Sequence, residues 1–221
     1  CLTRLARGRS RSRTRHEIMR DVDVALAGGV RELVLTGVQL GAWGKDLDPE
    51  NTLADLLAGF LSHGGFNRLR LSSIEPWDFD LRLLDFWSDK RMCRHLHIPL
   101  QSGDDGILKA MGRPISVGDY RKLITEIQST IPSIAVTTDV IAGFPGESKR
   151  AFQNTQTFVS SIGFAGGHVF TYSPRPGTPA IKMKDQIPAA TAKARNAALR
   201  RAFCHSGSEF RQRFLGETMD V

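Results

Sequence analysis

Apolar positions along this chain recur at helical spacing, then at strand spacing, and the alternation repeats to the end. Ile18, Val22, Ala25 and Leu26 mark one face of a helix that stops at Gly28-Gly29, and ELVLTG reads as a buried strand ending at Gly37. Thr52-Leu-Ala-Asp55 has the form of a capping box, in which the two polar side chains satisfy each other's backbone N–H groups. It opens a helix facing inward through Leu53, Leu56, Leu57 and Phe60. LRLSSIEP predicts a strand over Arg68 to Ser73 closed by Pro76, the stretch Phe79 to Trp87 reads as helical, and HLHIPLQSG from His95 is of strand type.

Ser116-Val-Gly-Asp119 is a second capping box, followed by the inward stripe Tyr120, Leu123, Ile124, Ile127 and Ile131. After Pro132, AVTTDVIAG is continuous and β-branched, as expected of a strand buried on both faces. Phe152, Thr155, Phe158, Val159 and Ile162 form another helical face, and GGHVFTYSP is a fifth strand. Strands alternating with helices predict an α/β fold with parallel strands. Five of them, with no Gly-rich dinucleotide turn, favour a partial (β/α) barrel over a doubly wound sheet. We expect residues 1–214 to form this core, with a C-terminal helix over 188–214.

In a parallel barrel the loops leaving the C-terminal ends of the strands build the active site. Here they read TGVQLGAWG, SSIEPWD, PLQSGDD, TTDVIAGFPGE and TYSPRPGTP, and they place Gln39, Glu75, Gln101, Asp139 and Arg175 at or just past strand ends. One polar loop closes a turn; five together point to a large polar site.

Composition adds a second theme. The 221 residues carry a net charge of +7, concentrated at the ends: residues 1–15 hold six Arg and no acid, and 182–214 hold eight Lys or Arg against two acids. Basic ends on a mildly acidic body suit a phosphate-rich partner. No apolar run reaches the roughly 20 residues of a membrane helix, so no membrane partner is expected. Cys1, Cys93 and Cys204 are far apart and form no disulfide framework, which suggests a reducing, cytoplasmic setting.

Ordinary catalytic patterns are missing. There is no nucleophile elbow, no HExxH or CxxC spacing, and no GxxxxGK loop. His95 and His97 share one strand face, where packing is the commoner role than metal binding. What remains is a hydrogen-bonding cup suited to a polar organic cofactor with ribose and amino-acid parts.

The succession CxxxxARGRSRSR, LTGVQLGAWGKDL, LSSIEPWDF, HLHIPLQSGDDGILKAMGR, TTDVIAGFPGE and FTYSPRPGTPA resembles the radical S-adenosylmethionine methylthiotransferases along nearly the whole chain. SSIEPWDF and HIPLQSGDD most resemble the branch that acts on N6-threonylcarbamoyladenosine in tRNA. The resemblance implies a 4Fe-4S cluster held by three thiolates of a CxxxCxxC motif, with Cys1 as the third, and one iron left open for S-adenosylmethionine. Where the family usually has a proline three residues after that cysteine, this chain has Arg4.

By the same resemblance, Gly37 and Gln39 approach the methionyl amino group, and Ser73 and Glu75 line the floor. Gln101 and Ser102 lie near ribose and carboxylate, and Asp139 and Ile141 flank the sugar and adenine. Reductive cleavage of the cofactor would start hydrogen abstraction at C2 of the modified adenine, with a second cluster supplying sulfur. The expected partners are the tRNA anticodon stem-loop, touched by Arg7, Arg9, Arg11 and Arg13, and a reductant for the cluster. Since the chain opens on Cys1, the first strand and the flanking domains are expected to be missing and the piece itself inactive; the resemblance implies that residues 215–221 are the start of a C-terminal RNA-binding β domain. Two other readings stand beside this one: a radical enzyme of the same type acting on a ribosomal protein, and a non-catalytic RNA-binding barrel.

Overall fold

A computed structural model describes residue 6, residues 8–47 and residues 51–218. They divide into two compact units: the chain up to His97 together with Ile127–Ile134, and Ile98–Glu126 together with Ala135 onward.

In the first unit, α1 (Arg15–Ala27) leads into β1 (Glu32–Leu35), and α2 (Leu53–His63) into β2 (Arg68–Leu71). Thr14 and Glu17 make a reciprocal capping box at the start of α1, and Thr52 and Asp55 make the expected one at α2. Leu53, Leu56, Leu57 and Phe60 of α2 are buried, as the periodicity predicts. β1 pairs in parallel with β2, Glu32 opposite Arg68 and Leu35 opposite Leu71. Parallel bridges from Leu69 to Met92 and from Ser73 to His97 carry the order on to β3 (His95–His97). Two expectations change here. β1 is buried only in part, since Leu35 lies in the core while Val34 is 54% exposed, and among the described strands of the unit it pairs with β2 alone. The helix read from Phe79 to Trp87 is a 3-10 helix over Leu81–Ser88, started by Asp80, whose carboxylate accepts from the Arg82 N–H.

The second unit holds α3 (Asp105–Ala110), β4 (Ala135–Ala142), α5 (Lys149–Ile162), β5 (Gly166–Thr171) and α6 (Ala189–Gln212). α4 (Val117–Thr130) begins in this unit with Tyr120 and Ile124 fully buried and ends in the first, with Ile127 and Ile131 buried there. β4 and β5 are parallel, Asp139 opposite His168 and Ile141 opposite Phe170. β4 alternates instead of being buried on both faces: Val136, Thr138, Val140 and Ala142 are buried, whereas Ala135, Thr137, Asp139 and Ile141 are half-buried. Tyr120, Phe158, Phe164 and Phe203 form the aromatic core, with ring centroids 5.9 to 6.4 Å apart. Close approach demands glycine at two points. A Cβ on Gly143, whose φ is +78°, would lie 2.4 Å from the Ala192 Cβ of α6, and one on Gly167 would lie 2.5 Å from the Phe203 ring. α6 falls within the predicted C-terminal helix, and residues 213–218 are turn and irregular chain.

Candidate functional site

In the first unit the loop after β1 is drawn against the loop after β2. A Cβ on Gly41 would meet the Asp78 carbonyl oxygen at 2.6 Å, and Lys45 Nζ reaches the Asp78 carboxylate at 2.7 Å. The basic N-terminal segment is bound down on the same loop. Ser10 Oγ donates to Gln39 Oε1 at 2.7 Å, Gly44 N donates to Ser12 Oγ at 3.0 Å, Ser12 N donates to Asp46, and Trp43 Nε1 donates to the Arg13 carbonyl at 2.9 Å. The bonds from Ser12 hold the Asp46 carboxyl below its usual range. Gly37 and Gln39 are exposed at the rim, Ser73 is exposed and Glu75 is half-buried at the end of β2.

The strand face below that rim is polar. Glu32 bridges Arg68 Nε at 3.0 Å and Arg70 Nε at 3.2 Å, and His95 and His97 are half-buried on β3. Burial first, then the charge of Arg70 and the neighbouring His97, push the His95 pKa down to about 4, so its ring is neutral at pH 7. Ser72 Oγ, buried at the end of β2, has no hydrogen-bond partner among the described residues. No group of three His, Cys, Asp or Glu side chains among the described residues is arranged to hold a metal ion. Cys93 is buried and Cys204 exposed, while Cys1 and Arg7 lie outside the described residues.

In the second unit, residues 98–101 run beside β4. Ile98 N donates to the Thr137 carbonyl at 2.9 Å, Gln101 N to the Asp139 carbonyl at 2.8 Å, and Ile141 N to the Gln101 carbonyl at 2.9 Å. Gln101, Asp139 and Ile141 are thus brought together at adjacent strand ends. Gln101 holds φ at +71°, a left-handed conformation that costs a non-glycine residue about 1 to 2 kcal/mol. Strain of this kind persists where the surroundings fix it, and it re-aims the side chain. Beneath, Tyr120 Oη donates to the Ile98 carbonyl at 2.7 Å and Thr138 Oγ1 donates to the same oxygen at 2.8 Å. Burial pushes the Tyr120 phenol pKa up, so it remains a donor.

Ser102 is 1% exposed, and its hydroxyl meets Thr155 Oγ1 at 3.2 Å and accepts from Asp104 N. It anchors the loop that presents Gln101. Ile141 packs on the apolar cluster of Ile107, Phe144 and Ala151, joined by Tyr172 and Met183. Tyr172 lies edge-on to Phe144 at 5.4 Å, and its buried hydroxyl has no hydrogen-bond partner among the described residues. Sequence reasoning missed Glu147. It is 1% exposed, accepts from Gly143 N at 2.7 Å and pairs with Arg195 Nη1 at 2.7 Å, fixing the loop after β4 to α6. The available signal was an acid enclosed by the Gly and Pro residues of AGFPGE.

In the second unit an amide, Gln101, and a carboxylate, Asp139, thus lie beside Ile141, while the first unit carries Gln39 and Glu75 on its own strand-end loops. The radical SAM superfamily profile matches residues 1–159. The threonylcarbamoyladenosine tRNA methylthiotransferase MtaB of Thermotoga maritima is 38% identical over 223 residues, covering 100% of this chain and 51% of the relative. The tRNA-2-methylthio-N(6)-dimethylallyladenosine synthase of Acetivibrio thermocellus is 35% identical over 222 residues, covering 100% of this chain and 46% of the relative. The chain therefore spans about half the length of the curated relatives it matches. Among solved structures, the coproporphyrinogen III oxidase HemN of Escherichia coli, a radical SAM enzyme, superposes with a TM-score of 0.63 at 18% identity, over 89% of this chain and 48% of that one, a likeness of fold. With parallel strands that alternate with helices, polar strand ends and a profile match over most of its length, this chain belongs to the radical SAM superfamily.

Proposed function

We propose that the protein carrying this chain is a tRNA methylthiotransferase that adds a methylthio group to C2 of N6-threonylcarbamoyladenosine next to the anticodon. The observation that carries the proposal is the 38% identity, over the whole chain, to a relative named for that activity. The relatives named as dimethylallyladenosine synthases also modify tRNA by name, which favours RNA over a ribosomal protein as the substrate. A cytoplasmic setting accords with three cysteines far apart in sequence.

Gln39 and Gly37 would hold the methionyl amino group of S-adenosylmethionine, Ser73 and Glu75 the floor beneath it, Gln101 and Asp139 the ribose hydroxyls, and Ile141 one face of the adenine. Ser102 would act through Gln101, by tying its loop to Thr155. Cys1 would be a thiolate ligand of a 4Fe-4S cluster, with a second cluster elsewhere in the protein and an external reductant. Bound together, the reduced cluster and S-adenosylmethionine supply one-electron cleavage of a sulfonium and hence hydrogen-atom abstraction from an inert C–H bond. The residues of this chain would orient that chemistry.

Arg9 and Arg11, exposed and without an ion partner among the described residues, would neutralise phosphates of the anticodon stem-loop. Arg13 is already paired with Asp21 at 2.7 Å. The test is mass spectrometry of nucleosides from tRNA incubated anaerobically with the iron- and sulfide-reconstituted protein, S-adenosylmethionine and dithionite. A methylthio product on threonylcarbamoyladenosine is expected. Modification of dimethylallyladenosine alone, or of neither, would overturn the assignment.

A further inference from the structure

β5 has two unlike faces. Side chains alternate along a strand, and here Gly167 lies under the Phe203 ring while the Val169 carbonyl accepts from Asn196 Nδ2 at 2.8 Å, so this side of β5 is closed by α6. His168 and Phe170 point the other way, with ring centroids 6.4 Å apart and planes tilted by 41°. Phe170 is 54% exposed, and among the described residues it is the one aromatic side chain in a set of exposed large hydrophobics that is otherwise Val, Leu and Ile. Its parallel partner is Ile141, and the partner of His168 is Asp139. The open ring therefore stands one strand beyond the residues assigned to sugar and adenine of the cofactor.

We propose that Phe170 is a stacking platform for a nucleobase of the RNA substrate, a proposal that rests on the tRNA-modifying reading above. Two features fit a base. The ring is flat and solvent-facing, so a base loses water from both surfaces on stacking. Every base has a π face, so such a platform works on a nucleotide turned out of its stack. The neighbouring Tyr172 is not available for this role, since its ring is packed edge-on against Phe144.

The experiment measures fluorescence anisotropy of anticodon stem-loop RNA at fixed salt, either intact or abasic at the methylthiolated position, with wild-type chain and with Phe170→Ala, Phe170→Leu and Phe170→Trp. Wild type should hold the intact RNA about 10- to 100-fold more tightly than the abasic RNA. Phe170→Ala and Phe170→Leu should abolish that difference, and Phe170→Trp should keep it. Calorimetric affinity for S-adenosylhomocysteine should stay within about twofold, since the cofactor's adenine is held elsewhere. Equal binding of both RNAs by wild type, unchanged discrimination in Phe170→Leu, or a loss confined to S-adenosylhomocysteine would each overturn the platform. None of these bears on the parent reading, which product formation judges. Because Phe170 is more than half exposed, the substitutions leave the core intact, and circular dichroism checks this directly.

Discussion

Glu147 and Arg195, 48 residues apart, close a buried ion pair at 2.7 Å that also captures the Gly143 N–H. Burial raises the Glu147 pKa, and the Arg195 hydrogen bond and the Gly143 N–H offset this only in part. An acid whose folded pKa is raised contributes most stability below its ordinary range, and that contribution is lost as pH rises through the folded value. Arg195→Met should therefore cost about 3 to 5 kcal/mol at neutral pH, and less at acidic pH, where the raised pKa lets Glu147 take up a proton before ordinary carboxylates do. Denaturant unfolding at the two pH values measures this. The double variant Glu147→Leu with Arg195→Met should recover most of the loss.

Gln101 offers a separation of stability from binding. Gln101→Gly should leave stability unchanged or raise it by up to about 1 kcal/mol, because the left-handed conformation is free for glycine. Gln101→Ala keeps the strain and should show no such gain. Both should weaken S-adenosylhomocysteine by about tenfold in calorimetry if the amide holds the cofactor. Full affinity in both would remove Gln101 from the site.

The Ile98 carbonyl accepts from both Tyr120 and Thr138, and Leu100 N donates to Thr138 Oγ1 at 2.9 Å. Tyr120→Phe leaves that carbonyl with one donor and should cost about 1 kcal/mol. Thr138→Val takes away the acceptor for Leu100 N as well and should cost about 2 to 3 kcal/mol. Thermal unfolding ranks the two, and an equal loss would contradict the network.

Among the N-terminal arginines, the ion pair predicts an unequal response to salt. Arg9→Ala with Arg11→Ala should reduce the slope of log affinity for stem-loop RNA against log salt by about 1.4 to 1.8, as two phosphate contacts require. Arg13→Ala should change it by clearly less than one contact, since Asp21 already holds that guanidinium. A uniform loss across the three would mean that RNA displaces Asp21.

The helices were legible because their signals are local. Thr52 with Asp55, and Ser116 with Asp119, cap within one turn, and the stripe from Tyr120 to Ile131 needs no distant partner to be recognised. Strand burial was less legible. ELVL and AVTTDVIA both read as core, yet β1 leaves Val34 exposed and β4 buries alternate residues, because burial of a strand depends on what covers each face. Gln39, Glu75, Gln101 and Asp139 could be placed at or just past strand ends because strand-end position can be counted along the chain. Glu147 was not singled out, since its partner Arg195 lies in a helix that follows three further elements.

The sequence by itself determined the alternation of helix and strand, the loops that carry polar chemistry, the family resemblance and the concentration of charge at the ends. All of these are properties of spacing and residue type. The tertiary structure alone decided which groups are already spent. It turned Ser102 into the scaffold, paired Arg13 with Asp21, lowered His95 and left Phe170 open beside Ile141. Each of those outcomes depends on desolvation or on a partner far away in the chain, and neither is written in local pattern.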